Sequence, residues 1–95
     1  MEELKAELKK NLEIATDLFY RQYTEMGYKT LLILLDKLSE FMICLEKENI
    51  DGMYDEQIIN LSKVLSESLK AMENNDSILL ADMLEYDLKE ILEDI

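Results

Sequence analysis

The sequence contains no histidine, no tryptophan and no proline, and it has only two glycines, Gly27 and Gly52, and one cysteine, Cys44. Each absence removes a class of chemistry. Without histidine there is no Ser-His or Cys-His nucleophile pair, no imidazole base and no histidine-bearing metal site. Two isolated glycines make no phosphate-cradling loop. A lone cysteine cannot close a disulfide within the chain and fits a reducing compartment. Cys44 lies among Phe41, Met42, Ile43 and Leu45, an apolar setting that predicts a buried, inert thiol. The longest apolar run, Leu31-Leu32-Ile33-Leu34-Leu35, falls far short of the ~18 residues that span a bilayer. The opening residues are acidic and carry no apolar signal core. These exclusions predict a cytoplasmic protein that is not an enzyme and holds no cofactor or metal.

What is present is acid. Across 95 residues, 22 Asp and Glu face 10 Lys and Arg, a net charge of −12. Such a field repels phosphate backbones and anionic membranes, so neither nucleic acid nor membrane is an expected partner. The length suits one domain over residues 1–95, with about 5,700 Å² left accessible after folding.

Apolar residues recur at steps of three and four throughout, the period of amphipathic helices. Leu4, Leu8, Leu12, Ala15, Leu18, Phe19 and Met26 form the first stripe, and Leu31, Leu34, Leu35, Leu38, Phe41, Met42 and Leu45 the second. Tyr54, Ile58, Leu61, Leu65, Leu69 and Met72 form the third, and Ala81, Leu84, Leu88, Ile91 and Ile95 the fourth. The pattern predicts an all-α, antiparallel up-and-down bundle of three or four helices, at about 3–22, 25–48, 53–73 and 77–94. Asn49 is placed to take a left-handed position after the second helix, with Asp51 capping the third. Asn74-Asn75-Asp76-Ser77 marks the last break. Between the first two helices either a short turn near Gln22 to Thr24, with Thr24 as N-cap, or one long rod with Gly27 inside it fits. The turn is preferred, because a long rod would strand its apolar stripe.

Constellations that carry chemistry are weak here. Read as a calcium loop from Asp51, the chain puts Met53 at a ligand position, Glu56 at the glycine position and Ser62 at the terminal glutamate position, so the match fails. Glu56, Glu67, Glu85 and Glu93 fall on polar stripes, the pattern of solvated faces, and Glu85 with Lys89 has the spacing of a helical ion pair.

The last helix is the most informative. From Glu73 to Ile95 eight acids stand against one lysine, a net of −7, against −5 for the preceding 72 residues. Besides its core face it carries a second apolar stripe, Leu79, Met83 and Tyr86, edged by Asp87, Glu90 and Asp94. This stripe fits either a helix wedged between two neighbours or a face for a basic amphipathic partner helix. The second helix also has a surplus, Leu32, Ile33, Ile43 and Cys44 behind its main stripe, which leaves a homodimer open.

The run Ala71-Met72-Glu73-Asn74-Asn75-Asp76-Ser77-Ile78-Leu79-Leu80-Ala81-Asp82-Met83-Leu84-Glu85-Tyr86-Asp87-Leu88 resembles the opening of the final helix in a family of short, acidic, helical proteins of anaerobic Gram-positive bacteria. Phe19-Tyr20-Arg21-Gln22-Tyr23-Thr24-Glu25-Met26-Gly27-Tyr28-Lys29 is similar to their first helix junction, with Tyr23 where those proteins carry glycine. The resemblance implies an accessory protein of motility or flagellar neighbourhoods, by analogy with the small acidic bundles of flagellar export chaperones. Two functions are therefore expected in order: a non-enzymatic interaction module (adaptor, chaperone-like or assembly factor), or an auxiliary subunit stable only as an obligate homo- or hetero-oligomer.

Overall fold

A computed structural model describes residues 2–95. Helix α1 (Glu2–Tyr20), α2 (Thr24–Glu48) and α3 (Asp55–Glu73) are followed by a C-terminal helix in three continuous parts. These are α4 (Ser77–Asp82), a π-helical turn (Met83–Leu88) and α5 (Lys89–Glu93). No strand occurs among the described residues. The expected all-α bundle is what the chain forms. Its longest dimension is 42 Å, close to the ~37 Å of a 25-residue helix, so α2 runs nearly the whole length. The accessible surface, 5889 Å², agrees with the value expected for this mass.

The four helices form a ring. α1 packs on α2 and on the C-terminal helix, and α3 packs on the C-terminal helix and, less closely, on α2. At the centre lies one core built around Phe19 and Phe41, with Leu8, Leu12, Leu31, Leu34, Leu38, Leu45, Leu61, Leu80, Leu84, Leu88 and Leu92 fully buried.

The turns correct several expectations. α1 ends at Tyr20, and Gln22 takes a left-handed φ of 66°. There the Tyr23 N–H donates to the Leu18 carbonyl (2.9 Å) and the Gln22 N–H to the Phe19 carbonyl (3.1 Å). That paired closure is the Schellman arrangement, and α3 repeats it with Asn75 at φ 52°. Helices one and two are thus separate. Thr24 is already helical; the N-cap is Tyr23, without a side-chain cap bond. Asn49 is extended, and the left-handed residues in its turn are Asp51 and Gly52. Asp51 does not cap α3. Asn49 staples that turn instead, accepting from the Tyr54 N–H and donating to Asp55 Oδ1, both at 2.7 Å. Asp76 does cap the last helix, accepting from the Leu79 N–H at 3.1 Å.

Other differences concern register. Met26 and Leu69 are exposed, and α3 buries Leu61, Val64, Ser68 and Ala71. In the C-terminal helix the Lys89 N–H donates to the Leu84 carbonyl, five residues back. The extra residue in this turn rotates everything after it by about 100° relative to a straight α-helix. Leu92 therefore enters the core, while Ile91 and Ile95 remain only partly buried. Glu85 and Lys89 do not form the expected ion pair; the three in the described residues are Arg21–Asp17, Lys29–Glu25 and Lys37–Glu7. The Lys37–Glu7 hydrogen bond ties α2 to α1 and holds the Lys37 ammonium above its usual range.

Ser68 is fully buried, yet its hydroxyl oxygen has no hydrogen-bond partner among the described residues. An unsatisfied buried hydroxyl is destabilising, and alanine is the better helix former. Ser68→Ala is expected to raise unfolding stability by roughly 1 kcal/mol in urea titrations. A loss of stability would mean that the hydroxyl is bonded in solution.

Candidate interaction groove

The seam between α3 and the C-terminal helix is not filled by side chains along its outer edge. It opens as two adjoining depressions of about 410 and 280 Å³ that share Glu67 and Asp87. The reason lies in the sequence of the two helices. On α3 the flank turned to this seam carries Glu56, Asn60, Glu67 and Asn74, whose polar ends stay in water rather than close over the core. On the C-terminal helix the opposing flank carries Asp87, Glu90 and Asp94. The α3 flank also carries Lys63 and Lys70, which balance its two glutamates, so the net negative charge of the groove comes from Asp87, Glu90 and Asp94.

One end of the groove is apolar, lined by Ala71, Leu79 and Met83. The other is acidic: Glu56, Glu67, Asp87, Glu90 and Asp94 surround a floor of Val64 and Ile91. Two lysines, Lys63 and Lys70, are the basic side chains along its length. Neither is in an ion pair among the described residues.

Of the six residues singled out from sequence, five line this groove and one does not. Leu79 is 46% exposed on its wall, and Asp87, Glu90 and Asp94 form its rim. Met83 corrects an expectation of accessibility: it is 5% exposed, and only its edge reaches the groove. Tyr86 is 66% exposed but lies on the opposite flank, with Glu13, Thr16, Asp17, Tyr20 and Glu85. The π turn explains the separation. In an α-helix, residues three apart come round to within about 60° of each other, whereas in the wider π turn they diverge to about 110°. The stripe Leu79, Met83, Tyr86 is thereby split between two grooves. Glu56 and Glu67, read from sequence only as solvated acids, are the α3 half of the rim.

On the α1 side, Tyr20 Oη donates a 2.8 Å hydrogen bond to Asp82 Oδ1, fastening the end of α1 to the start of the C-terminal helix. That bond, with burial second, pushes the phenol up to about 12. A raised phenol favours the fold fully below pH 10, and the contribution is lost as pH climbs through about 12. The link therefore persists through neutral pH.

Elsewhere, Leu32, Ile33 and Ile43 are each more than half exposed on the outer face of α2, and no other helix among the described residues covers them. Cys44 is half-buried rather than buried. Among the described residues no three His, Cys, Asp or Glu side chains are grouped to hold a metal ion. Among the described residues no helix is long and apolar enough to cross a membrane.

Compared with protein families, the whole chain, residues 1–95, matches the Domain of unknown function (DUF8042). The chain belongs to the DUF8042 family. No curated protein and no solved structure matches it.

Proposed function

We propose that this protein is a non-enzymatic interaction module that receives a basic amphipathic helix in the groove between α3 and its C-terminal helix. The observation that carries the reading is the groove's composition: an apolar end at Leu79, Met83 and Ala71 continuing into five carboxylates and two lysines. An amphipathic helix lays its apolar face into such a groove, and lysines or arginines at its edge meet the acidic rim. Adaptable Met83 at the floor suits an occupant whose side chains vary. An adaptor, chaperone-like or assembly role follows from this chemistry, and the flagellar setting implied by the sequence resemblance is one place for it.

The test is a titration with a synthetic helix of leucines on one face and lysines on the other, followed by amide NMR shifts. Shifts should concentrate at Leu79, Met83, Asp87, Glu90 and the facing turn of α3. Asp87→Lys with Glu90→Lys should weaken binding at least about tenfold, since reversing two rim charges turns attraction into repulsion. Salt should slow association more than it speeds release. Shifts spread evenly over every acidic surface would defeat the reading.

Exposed Leu32, Ile33 and Ile43 favour a second reading, an auxiliary subunit stable only as an oligomer. Charge ranks it behind the first for a symmetric dimer. A two-fold antiparallel pairing that seats Ile33 on Ile43 also sets Asp36 against Glu40 and Lys29 against Lys47, like against like. Light scattering after size exclusion separates the two readings: a folded monomer is expected, and a dimer dissolved by Ile43→Glu would favour the second.

A further inference from the structure

The opposite flank of the C-terminal helix carries a separate cleft of about 380 Å³, between α1 and the π turn. It is lined by Tyr20 and Tyr86, 45% and 66% exposed, together with Glu13 and Glu85. We infer that this cleft binds an organic cation, an alkylammonium or guanidinium group, held between the two tyrosine faces and the Glu13 and Glu85 carboxylates.

Four observations converge on that class. First, exposed tyrosines beside unpaired carboxylates are the elements of cation recognition: the ring faces attract a cation by their quadrupole, and the carboxylates by charge. Second, the carboxylates are free. Glu13 and Glu85 have no ion-pair partner among the described residues, whereas Asp17 at the edge is already engaged by Arg21 at 3.1 Å. Third, Thr16 lies in the lining with a side chain 4% exposed, and its Oγ1 has no hydrogen-bond partner among the described residues. A buried acceptor left unpaired is costly, and an incoming N–H donor would satisfy it. Fourth, Glu85 and Tyr86 stand within the π turn itself, a local widening of the helix that occurs often at functional sites.

Tyr20 is the fixed wall. Its hydroxyl donates to Asp82, so the ring is held in place rather than free to swing into water. Tyr86 has no such tether among the described residues and is 66% exposed. The neighbouring basic residues, Lys9 and Lys89, line the next depression along α1, which shares Glu13 with this cleft, and neither is within ion-pair distance of Glu13 or Glu85 among the described residues. The cleft is too open for a bare metal ion and lacks converging ligands for one. Its size suits the head of a lysine or arginine side chain, or of a free polyamine.

The full chain would be titrated with ethylguanidinium, with spermidine and with the peptide acetyl-Gly-Arg-Gly-amide, each against sodium chloride at matched ionic strength. Tyrosine fluorescence and amide shifts at Glu13, Thr16, Tyr20, Glu85 and Tyr86 give the readout. Saturable shifts confined to these residues are expected, absent with sodium chloride. Tyr86→Leu should weaken binding about three- to fivefold, and Tyr86→Phe should leave it unchanged, because the ring face is kept. Glu13→Gln with Glu85→Gln should weaken it about tenfold. Thr16→Val should also weaken it. If the arginine peptide exceeds ethylguanidinium and spermidine, the source is a polypeptide; if spermidine leads, it is a free polyamine. Shifts that follow ionic strength alone, or that survive Tyr86→Leu undiminished, overturn the proposal. Both outcomes are independent of the α3 groove, which shares none of these side chains.

Discussion

Leu92→Ala is expected to cost about 2–5 kcal/mol of unfolding stability, and at least about 1 kcal/mol more than Ile91→Ala. The two residues are neighbours of similar volume, so the comparison isolates their orientation. A straight α-helix in phase with Leu80 and Ala81, the buried pair ahead of the π turn, would set Ile91 about 30° and Leu92 about 70° from the inward direction. The π turn at Met83–Leu88 adds one residue to the helical path, and the inward position passes from Ile91 to Leu92. Leu92 is fully buried, while Ile91 forms part of the groove floor and is partly accessible. Truncating Leu92 removes its transfer free energy and leaves a cavity in the buried core cluster to which it belongs. Truncating Ile91 mostly widens an existing groove. Urea unfolding of the two variants decides the matter. Equal costs, or a larger one for Ile91, would mean that the helix runs straight in solution.

The same turn marks the boundary of what could be read from the amino-acid order. Helix existence was legible because a 3.6 period is repeated through every segment, and no proline interrupts it. The turn at Asn74-Asn75-Asp76 was legible because Asp76 is a strong cap and Asn tolerates the left-handed region. The end of α1 was harder. Gln22 takes the left-handed position that glycine usually occupies, so its neighbourhood carries no breaker. The π turn left no trace, since its residues Met83–Leu88 are ordinary helix formers and the choice of an i−5 bond is made by packing. Core choice in α3 was likewise decided by tertiary fit. Small Ser68 and Ala71 are buried where the larger Leu69 was expected, because α3 leans on the C-terminal helix and turns Leu69 outward. Of the site, the acidic rim Asp87, Glu90 and Asp94 was visible as spacing on one helix. Its α3 half, Glu56 and Glu67, was not, because which flank of α3 would face that helix depends on the ring order. Tyr20 was missed for the same reason: its partner Asp82 lies 62 positions away.

Gly27→Ala is expected to destabilise the protein by about 1–3 kcal/mol, opposite to what helix propensity alone predicts. Glycine within a helix gives up about 1 kcal/mol relative to alanine, so an exposed site would gain from the change. Gly27 is buried in the first turn of α2, directly over Phe19 at the end of α1. A Cβ there would stand 2.7 Å from Phe19 Cε1 and 2.8 Å from Cδ1, inside any tolerable carbon contact. Phe19 has little room to retreat. It is fully buried in the core, and its ring meets Tyr28 edge-on, with centroids 5.3 Å apart and planes at 75°. Moving the ring would disturb that pair and the leucines behind it, so the strain falls on the α1–α2 hairpin as a whole. Phe19→Leu, which removes the ring edge, should lower the cost of Gly27→Ala in a double-mutant cycle even though it destabilises alone. Additive costs would place the effect in the backbone instead of the contact. Stabilisation by Gly27→Ala would show that the two helices stand farther apart than this close approach requires, and that Gly27 serves no packing role.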